Sequence, residues 1–406
     1  MKRWNTYWII AILVTLAIGT ILSPLLRPAE AAAPTFAFGL RMELTTTGNT
    51  KALLNAAQVM RTDWIAQEVK WKDIEPRSGQ YDWQKLDALL LAARPYGFRI
   101  LLSVSGTPDW ARPAGANLSF DGPPADYANF AGFMAVTAKR YAGVINAYEI
   151  WPEANLRIKW WTEKGVSPED YAELLRQTSA AIHAADATSL VISGGLAPTG
   201  ANDNVNVIDD LSYYQRLYTV GVINYVDALG ARIDGYNNPP ADTPTTRTTS
   251  TTTHKGHTSF YFRHYEDIRA IMVANGDTHK SLWITSAGWA SAAQPAQGME
   301  YAADVSEEQQ ANYLVEALAQ VQSQSYVAVI IINNFNYSVT PGVPPELAPY
   351  SFLRADWSAR PAFITLAQVR QGDAFTRQSP TSQPIPKYVL PNWRPRLRYT
   401  FQTGQP

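Results

Sequence analysis

Phe36-Ala-Phe-Gly-Leu-Arg-Met-Glu-Leu44 is the first strand-like run after the N-terminal segment, and the turn beyond it decides the fold. A chain that alternates strands with helices either opens into a doubly wound sheet or closes into a barrel. The doubly wound nucleotide binders mark their first strand–helix turn with a glycine-rich phosphate loop. Here that turn reads Thr45-Thr-Thr-Gly-Asn-Thr50, and no such loop is present. Seven further runs of the same type occur at 64–69, 99–105, 145–150, 189–194, 226–231, 282–285 and 326–332. Helical stretches lie between them. Ser167-Pro168-Glu169-Asp170 supplies a cap, a proline at the first helical position and acids in the first turn. Ser306-Glu307-Glu308-Gln309 is a capping box ahead of Tyr313, Leu314, Ala317 and Leu318 on one face. Eight strand–helix units in roughly 340 residues predict an α/β fold of the (β/α)8 TIM-barrel type with enlarged βα loops.

The composition narrows the chemistry. Across 406 residues, 34 Lys+Arg balance 35 Asp+Glu, which leaves no basic footprint for nucleic acid. With no cysteine, disulfides, thiolate catalysis and Cys-based metal sites are excluded together. The five histidines (His183, His254, His257, His264 and His279) form no HExxH pair, so neither a metal nor a cofactor is expected. His254 and His257 are expected at the surface. Thirteen Trp and 21 Tyr supply the flat faces that sugar clefts use.

The ends of the chain stand apart from the barrel. Lys2 and Arg3 precede an apolar run from Trp8 to Leu26, and the small-residue pattern Ala29-Glu30-Ala31 comes next. This describes an export signal over 1–31 cleaved after Ala31, or an uncleaved membrane anchor of about 20 residues. Both place residues 32–406 outside the cytoplasm or at the cell surface. Without residues 1–31 the chain has 31 basic and 34 acidic residues. The barrel is expected over 32–371, with a Thr-rich loop tip at 243–253 after the sixth strand. A Pro-rich extension over 372–406 is expected to pack on the barrel, with Tyr388, Leu390 and Trp393 as docking points.

Barrel chemistry sits at the C-terminal ends of strands. The second strand ends in Trp71-Lys72-Asp73-Ile74-Glu75-Pro76, then Gly79-Gln80-Tyr81-Asp82-Trp83; the third in Thr107-Pro108-Asp109-Trp110-Ala111. The fourth ends in Tyr148-Glu149-Ile150-Trp151-Pro152-Glu153-Ala154-Asn155-Leu156, with Trp160 and Trp161 shortly after. The seventh runs Leu282-Trp283-Ile284-Thr285-Ser286-Ala287-Gly288-Trp289. Carboxylates beside tryptophans at such positions are the raw material of glycoside hydrolysis, in which one carboxyl protonates the leaving oxygen. In the retaining case a second attacks from about 5–5.5 Å away.

These segments resemble the clan A retaining glycoside hydrolases, nearest families 39 and 5 with their cellulase-like barrels, over roughly residues 36–370. The resemblance implies an acid/base Glu at the fourth strand and a nucleophile Glu at the seventh. The catalytic motifs depart from it. Where the family reads W-N-E-P-N-L, this chain reads W-P-E-A-N-L: Glu153 stands at the acid/base position, and Pro152 replaces an Asn that binds the sugar's 2-hydroxyl. Ser286 stands where the nucleophile belongs. The family's G-x-H-x-Y after the sixth strand becomes Gly230-Ala231-Arg232-Ile233-Asp234, and Asn333 stands near the usual Trp of the eighth strand.

Three functions are expected from these features. The first is a secreted or surface-held pseudoenzyme that binds a polysaccharide or oligosaccharide without hydrolysing it, Glu153 being vestigial and paired with Arg232. The second is an active glycosidase in which Asp234 or Glu300 supplies a relocated carboxylate, an inverting pair needing roughly 6.5–9.5 Å. The third is a structural protein of the cell envelope with a protein partner and a plugged cleft. Trp71, Trp110, Asn155, Trp160, Trp161, Arg232, Trp289 and Asn333 are the expected substrate contacts. Glu75 is expected to fix its loop, and Trp83 and Trp283 to pack in the barrel.

Overall fold

The computed structural model describes residues 36–46, 48–246, 254 and 256–372. Residues 1–31, expected to be an export signal or anchor, most of the Thr-rich tip, and the Pro-rich extension expected to pack on the barrel all lie outside these residues. Eight parallel strands close into a barrel in sequence order. They are β1 (Ala37–Arg41), β2 (Trp64–Lys70), β3 (Arg99–Ser105), β4 (Ala147–Ile150), β5 (Leu190–Ser193), β6 (Ala228–Asp234), β7 (Ser281–Gly288) and β8 (Val327–Ile332). Closure runs from Ala37 opposite Val329 to Leu40 opposite Ile332. The α-helices are α1 (Thr50–Val59), α2 (Trp71–Ile74), α3 (Gln84–Ala93), α4 (Tyr127–Arg140), α5 (Pro168–Ala185), α6 (Asp210–Thr219), α7 (His264–Ala274), α8 (Glu307–Gln322) and α9 (Pro361–Gln371). The caps fall where the sequence puts them. Ser167 Oγ accepts from Asp170 N–H at 3.1 Å, and Ser306 and Gln309 form the reciprocal box of α8.

Strand alternation sorts the residues into two cores. Phe38, Leu40, Ile65, Leu102, Tyr148, Leu229 and Ile330 point outward and pack under the helices. Ala37, Trp64, Ala66, Leu101, Ala147, Ala228, Trp283 and Ile331 form the inner core. Trp64 and Trp283 meet edge to face at 5.0 Å and fill the N-terminal end of the barrel, with alanines making room around them. At Gly39 an added Cβ would lie 2.3 Å from Ile331 Cδ1, so only glycine fits between β2 and β8. Toward the C-terminal end the inward residues become polar and charged. Arg41, Ser103, Glu149 and Thr285 meet there through one hydrogen-bonded set.

Outside the barrel, α6 and α7 are joined by a buried pair. His264 Nε2 lies 2.7 Å from Asp210 Oδ2, and both side chains are sealed from solvent. Burial opposes the charge on His264, but Asp210, helped by Asp267, outweighs it and lifts the imidazole pKa to about 9.

Candidate functional site

A cavity of about 260 Å³ opens at the C-terminal ends of the strands. Arg41, Glu68, Lys70, Glu149, Pro152, Glu153, Lys159, Arg232, Ser286 and Asn333 are among its walls. The loop after β4 presents Glu153. Trp151 and Glu153, flanking Pro152, both take left-handed backbone angles (φ 55° and 62°). The Glu153 N–H donates to Gly195 O at 2.9 Å, which fixes the turn.

The Glu153 carboxylate, 18 % exposed, is held by two cations: Arg232 Nη1 at 3.3 Å from Oε1 and Lys159 Nζ at 3.4 Å from Oε2. Burial alone would raise its pKa, and Glu68 adds to that. Arg232 and Lys159 win, and hold Glu153 below the ordinary carboxylate range. A general acid near neutral pH needs the opposite shift. In this state Glu153 carries no proton to donate.

Ser286 lies beside Arg232 across the β6–β7 pairing. Its Oγ is buried without a hydrogen-bond partner, and no histidine lines the cavity among the described residues to activate it. Asp234, at the end of β6, sits 3.8 Å from Arg232 Nη2. Burial raises its pKa against the pull of Arg232, and its Oδ1 is buried and unpaired. One guanidinium therefore contacts both Glu153 and Asp234. Glu300 is elsewhere: it is exposed and accepts the Gly298 N–H at 2.9 Å, outside the cavity wall.

Two carboxylates of the cavity are not apparent from sequence motifs. Glu149, fully buried, accepts from Gly195 N–H at 3.1 Å and from Ser103 Oγ, and lies 3.4 Å from Arg41. Glu68 lies 2.8 Å from Lys70 Nζ. Burial would raise its pKa, yet Lys70, Lys159 and Arg41 bring it down to about 2. The signal that could have found them is parity: both are in step with the inward residues of their own strands, Glu68 with Trp64 and Ala66, Glu149 with Ala147. Glu75 anchors its loop as expected, accepting from Trp71 Nε1 at 2.7 Å and Gly79 N–H at 2.8 Å.

Half of the expected substrate contacts belong to the core instead. Trp71 is fully buried, stacked on Phe133 with ring centroids 5.5 Å apart. Trp160 is buried between Trp151 and Tyr171, and Trp289 packs on Phe262 while its Nε1 donates to Asn238 O at 2.8 Å. Asn155 is a buried clamp. Its Nδ2 donates to Ala197 O (2.8 Å) and Ile208 O (2.9 Å), and its Oδ1 accepts from Ala197 N–H (2.9 Å). No face of these four is open to a ligand. Arg232 and Asn333 do line the cavity, and Trp110 is 37 % exposed on the rim of the third loop. His254 is also not a plain surface residue: it stacks on Tyr236 at 4.5 Å, with Phe260 and Tyr301 against its edges.

Trp161 has a hollow of its own. A groove of about 440 Å³ is lined by Phe120, Leu156, Arg157, Ile158, Trp161 and Asn206. Arg157 lies over the Trp161 ring at 5.8 Å. Leu156 and Ile158 also line the mouth cavity, so the groove and the cavity share a wall.

A family model described as β-galactosidase, glycoside hydrolase 42, matches residues 50–119, from α1 into the loop after β3. Among curated proteins none matches in sequence. Solved structures do. A family 39 glycoside hydrolase from the gut symbiont Bacteroides cellulosilyticus WH2 is 17 % identical with a TM-score of 0.60, covering 83 % of this chain and 64 % of that one. A glucosidase from Croceicoccus marinus is 13 % identical (TM-score 0.58, 84 % and 67 %). An endo-β-1,4-glucanase from Xanthomonas axonopodis pv. citri is 12 % identical (TM-score 0.52, 83 % and 99 %). The chain thus spans under two thirds of the family 39 enzyme and nearly all of the glucanase. At these identities the likeness concerns the fold alone, a closed (β/α)8 barrel.

Proposed function

We propose that the protein is an exported, glycosidase-like barrel that binds an oligosaccharide or polysaccharide and does not hydrolyse it. The observation that carries this reading is the clamp on Glu153 by Arg232 and Lys159. A carboxylate kept ionised by two cations cannot act as the acid. The seryl hydroxyl at 286 has no base beside it, so no covalent intermediate forms. Sugar contact falls to the cavity with Arg232 and Asn333, and to the groove with Trp161 and Phe120. In this reading residues 1–31 are an export signal or anchor. A second reading keeps turnover, with Asp234 as the base of an inverting reaction; its buried, unpaired Oδ1 and raised pKa favour it. Against it, Arg232 contacts both carboxylates, and Glu153 stays ionised.

The test tracks new reducing ends from a panel of plant and bacterial polysaccharides over days. The natural protein is expected to stay silent while binding at least one of them. A Pro152→Asn/Ser286→Glu variant is also expected to stay silent, because Arg232 beside position 286 would neutralise the new carboxylate. Turnover is expected only when Arg232→His is added. Steady release by the natural protein, abolished by Asp234→Asn, would overturn the proposal in favour of the second reading.

A further inference from the structure

The groove beside the mouth differs in chemistry from the cavity it adjoins. The cavity is walled by paired charges, Glu68 with Lys70 and Glu153 with Lys159 and Arg232. Among the described residues the groove has one charged side chain, Arg157, set among Phe120, Leu156, Ile158, Trp161 and Asn206. Two of its apolar groups face water: Ile158 is 55 % exposed and Phe120 38 %.

The polar groups of the groove are nearly all of one kind. Arg157, the Trp161 indole N–H and the Asn206 amide nitrogen are donors, and Asn206 Oδ1 is the single acceptor among the described lining side chains. That oxygen already accepts from Arg157 Nη1 at 3.4 Å. Asn206 Nδ2 donates to Asp203 Oδ2 at 2.9 Å, and Asp203 Oδ1 accepts from the N–H groups of Val205 (2.9 Å), Asn206 (2.7 Å) and Val207 (3.0 Å). The Asp203 carboxylate is thus spent on the turn that carries Asn206. Arg157 keeps spare donors: Nη2 donates to Thr162 O at 3.4 Å, and among the described residues its buried Nε has no partner. A pyranose with free hydroxyls brings donors into a hollow whose one side-chain acceptor is engaged, and unmet donors cost affinity. An O-acetylated pyranose fits on both counts. Each ester replaces a hydroxyl donor by a carbonyl that only accepts, and adds a methyl group for the apolar walls.

We infer that the groove selects O-acetylated units of a glycan, with the ester methyl groups against Leu156, Ile158 and Phe120 and the ester carbonyl taken by Arg157 or the Trp161 indole N–H. Leu156 and Ile158 are shared with the cavity, so the acetylated unit belongs to a chain whose next units reach the mouth. The inference rests on the sugar-binding reading and adds to it the decoration that the sugar carries.

The test presents each polysaccharide of the panel in two forms, O-acetylated with acetic anhydride and deacetylated in mild alkali, and compares their dissociation constants by affinity gel electrophoresis. The acetylated form is expected to bind roughly fifteenfold more tightly where two methyl groups are buried, at about fourfold each. Ile158→Ser, at an exposed position, removes one apolar contact and supplies an acceptor, so the ratio between the two forms is expected to fall at least about fourfold. Its melting temperature is expected to match that of the parent, which separates lost selectivity from lost folding. Equal affinity for the two forms, a preference for the deacetylated one, or an unchanged ratio in Ile158→Ser would overturn this inference and leave the sugar-binding reading standing. No binding of any polysaccharide in either form would overturn both.

Discussion

Arg232 Nη1 stands 3.3 Å from Glu153 Oε1, while its Nη2 stands 3.8 Å from Asp234 Oδ2. A glycosidase cleft develops positive charge on the sugar between two carboxyl groups. Here a permanent cation of the chain itself contacts Glu153 and Asp234 together.

This arrangement has a stability signature. A carboxylate with a depressed folded-state pKa stabilises the protein above the ordinary carboxylate range and ceases to do so as pH falls through its folded value. Glu153→Gln is expected to cost about 1–3 kcal/mol at neutral pH, since it removes the carboxylate that Arg232 and Lys159 share. The gap between parent and variant is expected to narrow in acid, where Glu153 of the parent is protonated too. Denaturant unfolding of both proteins across the acid range measures it, and a gap that widened in acid would refute the clamp.

Asn155 separates a structural role from a ligand role. Its three buried hydrogen bonds tie the loop after β4 to Ala197 and Ile208. Asn155→Ala is expected to lower stability by about 2–4 kcal/mol, because it leaves buried backbone groups unpaired. Calorimetric titration with a bound glycan is expected to show little change in the affinity of the fraction that remains folded.

The tryptophans divide the same way. Trp289→Ala empties a buried site beside Phe262 and is expected to cost about 3–5 kcal/mol. Trp161→Ala is expected to leave the melting temperature almost unchanged and to weaken glycan binding about tenfold, the loss of one stacking face. Thermal melts set beside binding curves distinguish the two; a Trp161→Ala variant with full affinity would remove the groove from the binding surface.

His264 titrates against the fold in the other direction. Its pKa, raised to about 9 chiefly by Asp210 against the pull of burial, gives a stabilisation complete below the unfolded-state value of about 6.5. That stabilisation is lost as pH climbs through about 9. The unfolding free energy of the parent is expected to fall between neutral and alkaline pH, whereas that of His264→Gln starts lower and stays flat.

All eight strands and both helix caps are legible in the sequence because they rest on local chemistry: apolar runs, side-chain oxygens and proline geometry. The Glu153–Arg232 pair is legible as well, since barrel topology places β4 and β6 ends around one mouth. Trp289 departs from its expected place for a physical reason. Strict alternation from the inward Trp283 would turn 285, 287 and 289 inward. A bulge in the β7–β8 pairing between Ile284 and Ala287 instead brings both Thr285 and Ser286 to the cavity and sends Ala287 and Trp289 outward. A one-residue slip of this kind reverses every later side chain and leaves no mark in composition. Lys159 is hidden from the sequence because its reach to Glu153 depends on how the loop after β4 folds back, which spacing does not encode.

Leu156 and Ile158, the wall common to groove and cavity, set a rule for whatever lies across them. A short ligand occupies one hollow or the other and gains from one alone. A chain long enough to straddle the wall meets its second foothold at a high local concentration, so its affinity rises in a step at a threshold length instead of gradually with each added unit. In the proposed binding role, the site would measure length before it reads chemistry.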